Sequence, residues 1–173
     1  MGATRVFDVM IPLEEYPHVP SECTLREAMA TLENSSLERD GRGSLPRGVL
    51  VFDQHSRLLG FVRRRDMLRG LEPEFMAQTF HHPKQPYDLA VDPNLSELSF
   101  DRIARAMRER AERPVSEVMQ PILATVDADD LIIKAVHEMT HKDLSFIPVL
   151  RAGKVIGVVR SVELFAEIAR LVL

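Results

Sequence analysis

An α+β fold built from two copies of one unit is what this sequence predicts, on three observations. Val6-Phe7-Asp8-Val9-Met10-Ile11-Pro12 reads like Val115-Ser116-Glu117-Val118-Met119-Gln120-Pro121. Leu58-Leu59-Gly60-Phe61-Val62-Arg63-Arg64-Arg65-Asp66-Met67-Leu68 reads like Val155-Ile156-Gly157-Val158-Val159-Arg160-Ser161-Val162-Glu163-Leu164-Phe165. Between these anchors both halves carry a helix pattern and then an apolar strand pattern, in the same order, as an internal repeat requires.

In the first half, Thr24 and Glu27 form the N-cap and N3 positions of a capping box. Leu25, Ala28, Met29 and Leu32 follow at the spacing of one helix face. Residues 34–48, rich in Ser, Gly and Arg, read as an exposed loop inserted into this copy. Leu50-Val51-Phe52 and Leu58–Val62 are two strands around the polar turn Asp53-Gln54-His55-Ser56. A short helix is expected from about Arg64 to Leu71.

In the second half, Asp127 or Asp129 caps a helix whose apolar face is Ile132, Ala135, Val136 and Met139. Phe146–Leu150 is a strand, Ala152-Gly153 turns the chain, and Lys154–Val159 is its partner. The last helix starts near Val162, with Leu164, Phe165, Ile168, Leu171 and Val172 on a broad apolar face. Residues 71–114 lie between the halves. They open with Pro73, Pro83, Pro86 and Pro93 and end in an amphipathic helix bearing Phe100, Ile103, Ala104, Met107 and Ala111. A structureless 44-residue loop would be unusual in a compact protein, so this connector is expected to pack. The expected organisation is a first repeat at 6–70, the connector at 71–114 and a second repeat at 115–173.

Composition narrows the function. The chain of 173 residues is 45% hydrophobic and 28% charged, with a net charge of -4. That balance favours a globular protein and argues against nucleic acid as a partner. No apolar run approaches the roughly 18 residues of a membrane helix, and no signal-peptide pattern opens the chain. The single cysteine, Cys23, allows no internal disulfide, which fits the cytoplasm.

Two copies of Val-x-x-Val-Met, a helix, a strand with Ile147-Pro148-Val149, and a strand ending in Gly, two apolar residues and an acid resemble tandem CBS domains, a Bateman module. The second copy is the clearer match; the first has Leu50 where the family usually has Pro. The resemblance implies a β-α-β-β-α unit per repeat, the two packed about a pseudo-twofold axis. It also implies two clefts for adenosine compounds: AMP, ADP, ATP or S-adenosylmethionine. A homodimer and a separate regulated protein are implied with them, and no enzyme activity. The length, filled by two repeats and a connector, leaves no expectation of a catalytic domain.

The family's ligand signature is Gly, two apolar residues, Thr or Ser, two residues, Asp. By that pattern Asp66 and Glu163 are the ribose-binding acids. Arg63 and Arg160 replace the hydroxyl residue that caps the helix, and Arg has no acceptor to do so. Two readings stand: the guanidiniums grip phosphate, or each pairs with the acid three residues on. Ser161 is an alternative cap in the second copy. Adenine-side candidates by position are Ile11, Pro12, Leu50, Val51, Ile122, Ile147 and Pro148, all of which also suit a core. A ligand-free oligomerisation or interaction module is the alternative function.

His137-Glu138-Met139-Thr140-His141 matches the His-Glu-x-x-His pattern of zinc hydrolases. Met139 belongs to the apolar helix face, no further His or Gly pattern follows, and the later acids are claimed by the repeat. The expectation is no metal site, with a zinc hydrolase through this segment as the remote alternative function. His81-His82 reads as exposed loop, the Arg63-Arg64-Arg65 run and the Arg102–Arg113 face as solvated charge, and Cys23 as an ordinary thiol.

Overall fold

The computed structural model describes residues 4–39, 41–79 and 100–173. Pro83, Pro86, Pro93, His81 and His82 lie outside these residues.

The Val-x-x-Val-Met segments are short: α1 (Val6–Val9) then β1 (Ile11–Pro12) in the first half, and a 3-10 turn at Val115–Glu117 in the second. In the first half β2 (His18–Pro20), α2 (Leu25–Glu33), β5 (Gly48–Phe52), β6 (Leu58–Arg63) and α3 (Arg64–Leu71) follow. Between α2 and β5 stand β3 (Leu37–Arg39) and β4 (Arg42–Ser44). The predicted loop at 34–48 is therefore corrected: it holds an antiparallel hairpin, with Leu37 opposite Ser44 and Arg39 opposite Arg42. After α4 (Glu74–Thr79) and α5 (Phe100–Arg110) come β7 (Val126–Asp127), α6 (Ile132–Lys142), β8 (Phe146–Arg151), β9 (Lys154–Arg160) and α7 (Ser161–Val172).

Each half makes a small sheet by the same rule. β2 runs parallel to β5, which pairs antiparallel with β6. β7 runs parallel to β8, which pairs antiparallel with β9. β8 and β9 are joined across Ala152 and Gly153, both at positive φ (50° and 75°), the geometry of a tight two-residue hairpin turn. The architecture is α+β, two β-α-β-β-α units about a pseudo-twofold axis.

The lead segments cross between the halves. Ile11 of β1 pairs with Val158 and Pro12 with Gly157, adding a fourth strand to the second half's sheet. Gln120 answers from the other side, exchanging backbone hydrogen bonds with Phe61 at 2.8 and 3.0 Å. This crossing explains the glycine common to both copies. A Cβ on Gly157 would lie 2.4 Å from the backbone oxygen of Ile11, and one on Gly60 2.4 Å from that of Gln120. Only glycine admits so close a backbone approach.

The cores follow the same exchange. Val6, Val9 and Met10 pack with Val126, Ile132, Met139, Ile147, Val149 and Leu164 of the second half. Ala111 and Val115 pack with Leu25, Ala28, Val49, Val51 and Met67 of the first. A third cluster lies between the sheets: Ile11, Tyr16, Leu37, Leu50, Phe146 and Val158. Units of some 60 residues bury too little surface to stand alone easily, and here each lends its opening valines to the other.

Capping agrees with the sequence once. Glu27 N donates to Thr24 Oγ1 at 3.2 Å and Thr24 N to Glu27 Oε2 at 2.8 Å, a complete capping box. The predicted Asp127 or Asp129 cap is corrected: the N-cap of α6 is Leu131 and caps with no side chain. The aspartates close a turn instead, Asp127 N donating to Asp130 Oδ2 and Asp129 N to Asp127 Oδ1. Ser161 is the first residue of α7 and Arg160 its N-cap.

The end of the connector, from α5 to Arg113, packs on the first half. Met107 and Ala111 reach its core. The carbonyls of Arg113 and Ala111 accept from Leu25 N and Arg26 N at 2.8 Å each, taking up two of the free amides at the start of α2. Phe100, expected on the packed face, is 81% exposed at the start of α5. Among the described residues no helix is long and apolar enough to cross a membrane.

Candidate ligand-binding clefts

The pseudo-twofold axis creates two comparable places, each where the last strand of one half meets its final helix beside the other half's lead segment. On the first, β6 delivers Arg63 and α3 delivers Asp66. Asp66 is 1% exposed. Its Oδ2 accepts from Arg63 N at 3.0 Å and Arg63 Nε at 2.9 Å; its Oδ1 accepts from an Arg63 terminal nitrogen at 3.1 Å and Gln120 Nε2 at 3.3 Å. Burial alone pushes the Asp66 carboxyl up, but the hydrogen bonds and charge of Arg63, helped by Arg69, outweigh it and hold the group below the usual carboxylate range. The Asp66 hydrogen bond in turn raises Arg63. The Arg63 side chain is nevertheless 41% exposed. It lies 5.6 Å from the Phe61 ring centroid and borders a cavity of 50 Å³ with Ile122, Ser145, Phe146 and Pro148. Phe61 and Phe146 meet edge to face at 4.9 Å between centroids.

On the second, β9 delivers Arg160 and α7 delivers Glu163. Arg160 Nε donates to Glu163 Oε1 at 3.2 Å and Oε2 at 3.0 Å, and a terminal nitrogen also bonds Oε1. That nitrogen donates to Ser44 Oγ of the hairpin at 3.0 Å. These side chains are 4% and 8% exposed. Beside them is Tyr16, whose hydroxyl is buried next to the Gly48 backbone. Burial pushes that phenol up to about 12, against the pull of the Arg160 charge. An open groove of 720 Å³, lined in part by Arg160 and Glu163, runs between the hairpin and α7 on the side away from Tyr16.

The structure gathers the predicted residues unequally. Arg63 borders the small cavity with Ile122 and Pro148 and pairs with Asp66, which itself lines a separate groove of 310 Å³ with Arg69, Arg110 and Gln120; Arg160 and Glu163 meet at the second cleft. Ile11 and Leu50 lie in the cluster between the sheets, with Pro12 beside Ile11 on β1. Val51 and Ile147 are corrected: both point into the half-cores. Successive strand residues face opposite ways, so the neighbours Leu50 and Pro148 take the cleft side. Gln120, Tyr16 and Ser44 are additions. Gln120 had a signal, standing opposite Ile11 in the repeated motif; Ser44 lay in the stretch read as loop.

The family model of the CBS domain matches residues 6–73 and 115–170. The chain belongs to the CBS-domain family. A CBS domain of a membrane protein from Sphaerobacter thermophilus is similar at 18% identity and TM-score 0.64, over 95% of this chain and 87% of that one. A CBS domain-containing protein of Bacillus anthracis is similar at 22% identity and TM-score 0.65, over 98% and 95%. CBSX2 in complex with AMP is similar at 17% identity and TM-score 0.61, over 96% and 97%. At these identities the likeness is one of fold. Among curated proteins none matches.

In this CBS pair the His-Glu-x-x-His segment lies on α6. His141 Nδ1 is 2.9 Å from the His137 carbonyl oxygen, and Glu138 pairs with Lys142 at 2.7 Å. Among the described residues no group of three His, Cys, Asp or Glu is arranged to hold a metal. Cys23 is buried, and burial with the nearby Glu27 and Glu22 pushes its thiol up to about 11, the opposite of an activated nucleophile.

Proposed function

We propose that this CBS pair is a non-catalytic regulatory module, its repeats at 6–70 and 115–173 and its connector at 71–114 working as one unit. It takes an adenosine-containing ligand (AMP, ADP, ATP or S-adenosylmethionine) at the Asp66 cleft. The observation that carries the reading is the pairing of a buried Asp66 with a half-exposed Arg63. Swung off the carboxylate, Arg63 leaves a lone pair on each Asp66 oxygen, beside the Arg63 amide and Gln120 bonds, for a ribose diol and offers a guanidinium to phosphate. Ile122, Phe146 and Pro148 supply an apolar wall for a base. The family match and the likeness to an AMP complex support this assignment. Binding that favours one arrangement of the halves is what a separate partner protein reads.

A thermal-shift series with the four compounds tests it. Ligand at 100 times its Kd adds about 2.7 kcal/mol. Stabilisation by at least one compound, reduced tenfold or more in affinity by Asp66→Ala, is expected. A flat response to all four at millimolar concentration overturns the reading. It favours the second one instead: a ligand-free interaction module, for which the self-satisfied Arg63–Asp66 and Arg160–Glu163 pairs speak.

The exposed apolar face of α7, with Phe165 75% exposed beside Val162 and Leu171, suits homodimerisation. Sedimentation as a dimer is expected; a monomer at high concentration contradicts it.

A further inference from the structure

We infer that the β3–β4 hairpin is an intramolecular occupant of the Glu163 cleft on the side facing Tyr16 and Leu50, so that this side is closed to ligand while its counterpart beside Arg63 stays open. The part concerning ligand rests on the nucleotide reading above; the part concerning the hairpin does not.

The hairpin has no counterpart in the second half, where α6 passes to β8 through Asp143, Leu144 and Ser145 alone. It enters the molecule at both ends. Leu37 is buried in the cluster between the sheets, against Ile11, Tyr16, Leu50 and Val158. Ser44 accepts from the buried Arg160, and Arg39 donates to the Asp8 carbonyl oxygen at 3.2 Å. Arg64 donates to the Pro46 carbonyl oxygen just beyond β4. An apolar anchor, a hydroxyl and two arginine tethers thus stand where the pseudo-twofold axis places an open mouth on the other side.

The Tyr16 hydroxyl carries the argument further. A buried polar atom is almost always satisfied. Tyr16 buries its hydroxyl beside Arg160, Glu163 and the Gly48 backbone, while Leu37, in the same cluster, offers no polar side-chain atom. The floor of this cleft is polar and its occupant there is not.

The test uses tyrosine emission. The chain has two tyrosines and no tryptophan. In a Tyr87→Phe background Tyr16 is the sole emitter, and acrylamide quenching reads its exposure. A second protein in the same background has residues 38–43 replaced by two glycines. A quenching constant at least threefold higher in the shortened protein is expected; equal constants overturn the inference. Should the shortened protein not fold, Leu37→Ser serves in its place, with a smaller rise expected and no rise overturning it. Equilibrium dialysis with AMP then counts sites. One per chain in the parent and two in the shortened protein is the expected result, and two in the parent overturns the inference. No AMP on either protein, with Tyr16 exposed by shortening, leaves the hairpin inference standing and overturns the nucleotide reading.

Discussion

Arg63–Asp66 and Arg160–Glu163 are the same construction at two places. In each an arginine ends a strand, an acid follows three residues later, and the two are bridged by two nitrogens of one guanidinium. Their surroundings differ. Arg63 is half-exposed, and its buried acid also meets Gln120 of the other lead segment. Arg160 lies beneath the hairpin, locked between Glu163 and Ser44. The difference teaches that a signature residue does not determine a cleft's state; what covers it does. Arg63 is half-exposed although its acid is buried, while both members of the Arg160–Glu163 pair are buried.

The largest effect that separates the two sides is on stability. Arg160→Ala leaves Glu163 charged, buried and alone, and should cost about 3–5 kcal/mol. Arg63→Ala leaves Asp66 its backbone and Gln120 partners and should cost well under that. Urea unfolding of the two variants reads the contrast, and equal losses would break it.

Next comes the crossing of the lead segments, where the sides should agree. Gly60→Ala and Gly157→Ala each drive a methyl into a backbone oxygen, a clash that flexible side chains cannot relieve. Each should lose roughly 1–3 kcal/mol. A much smaller loss at one of them would show that its lead segment yields.

Asp66→Asn is expected to cost about 1–3 kcal/mol at neutral pH, through hydrogen bonds to charge. It also changes the pH profile. The Asp66 carboxyl is depressed in the folded state, so its stabilisation is fully present above the unfolded value, about 4. It is lost as pH falls through the lower folded value. Thermal melts from pH 6 to pH 2.5 should show the parent losing stability more steeply than Asp66→Asn. Parallel curves would contradict the assigned shift. The smallest effect is at the helix starts: Thr24→Ala should cost about 1 kcal/mol, while Leu131→Ala removes no cap.

Much of this was legible in the residues. The Thr24–Glu27 box, the α3 span Arg64–Leu71 and the Ala152-Gly153 turn are local devices, and local rules suffice for them. The repeated Val-x-x-Val-Met motif marked a lead segment without saying which half it joins, because pairing across the axis is set by packing between distant residues. The hairpin is hidden in the sequence for another reason. Asp40-Gly41 is a strong turn signal, but the flanking Glu38, Arg39, Arg42 and Gly43 lack the apolar alternation that betrays a strand. Leu37 alone holds it down. The choice between phosphate grip and ion pair at Arg63 and Arg160 also depended on burial, which three residues of sequence do not carry. In the structure both arginines pair with their acids, and exposure sets them apart.

The central claim, one open cleft and one filled by the chain itself, is tested most directly by counting AMP bound per chain in the full-length protein by equilibrium dialysis. The account predicts one, lost in Asp66→Ala. Two per chain, or one that survives Asp66→Ala undiminished, would contradict it.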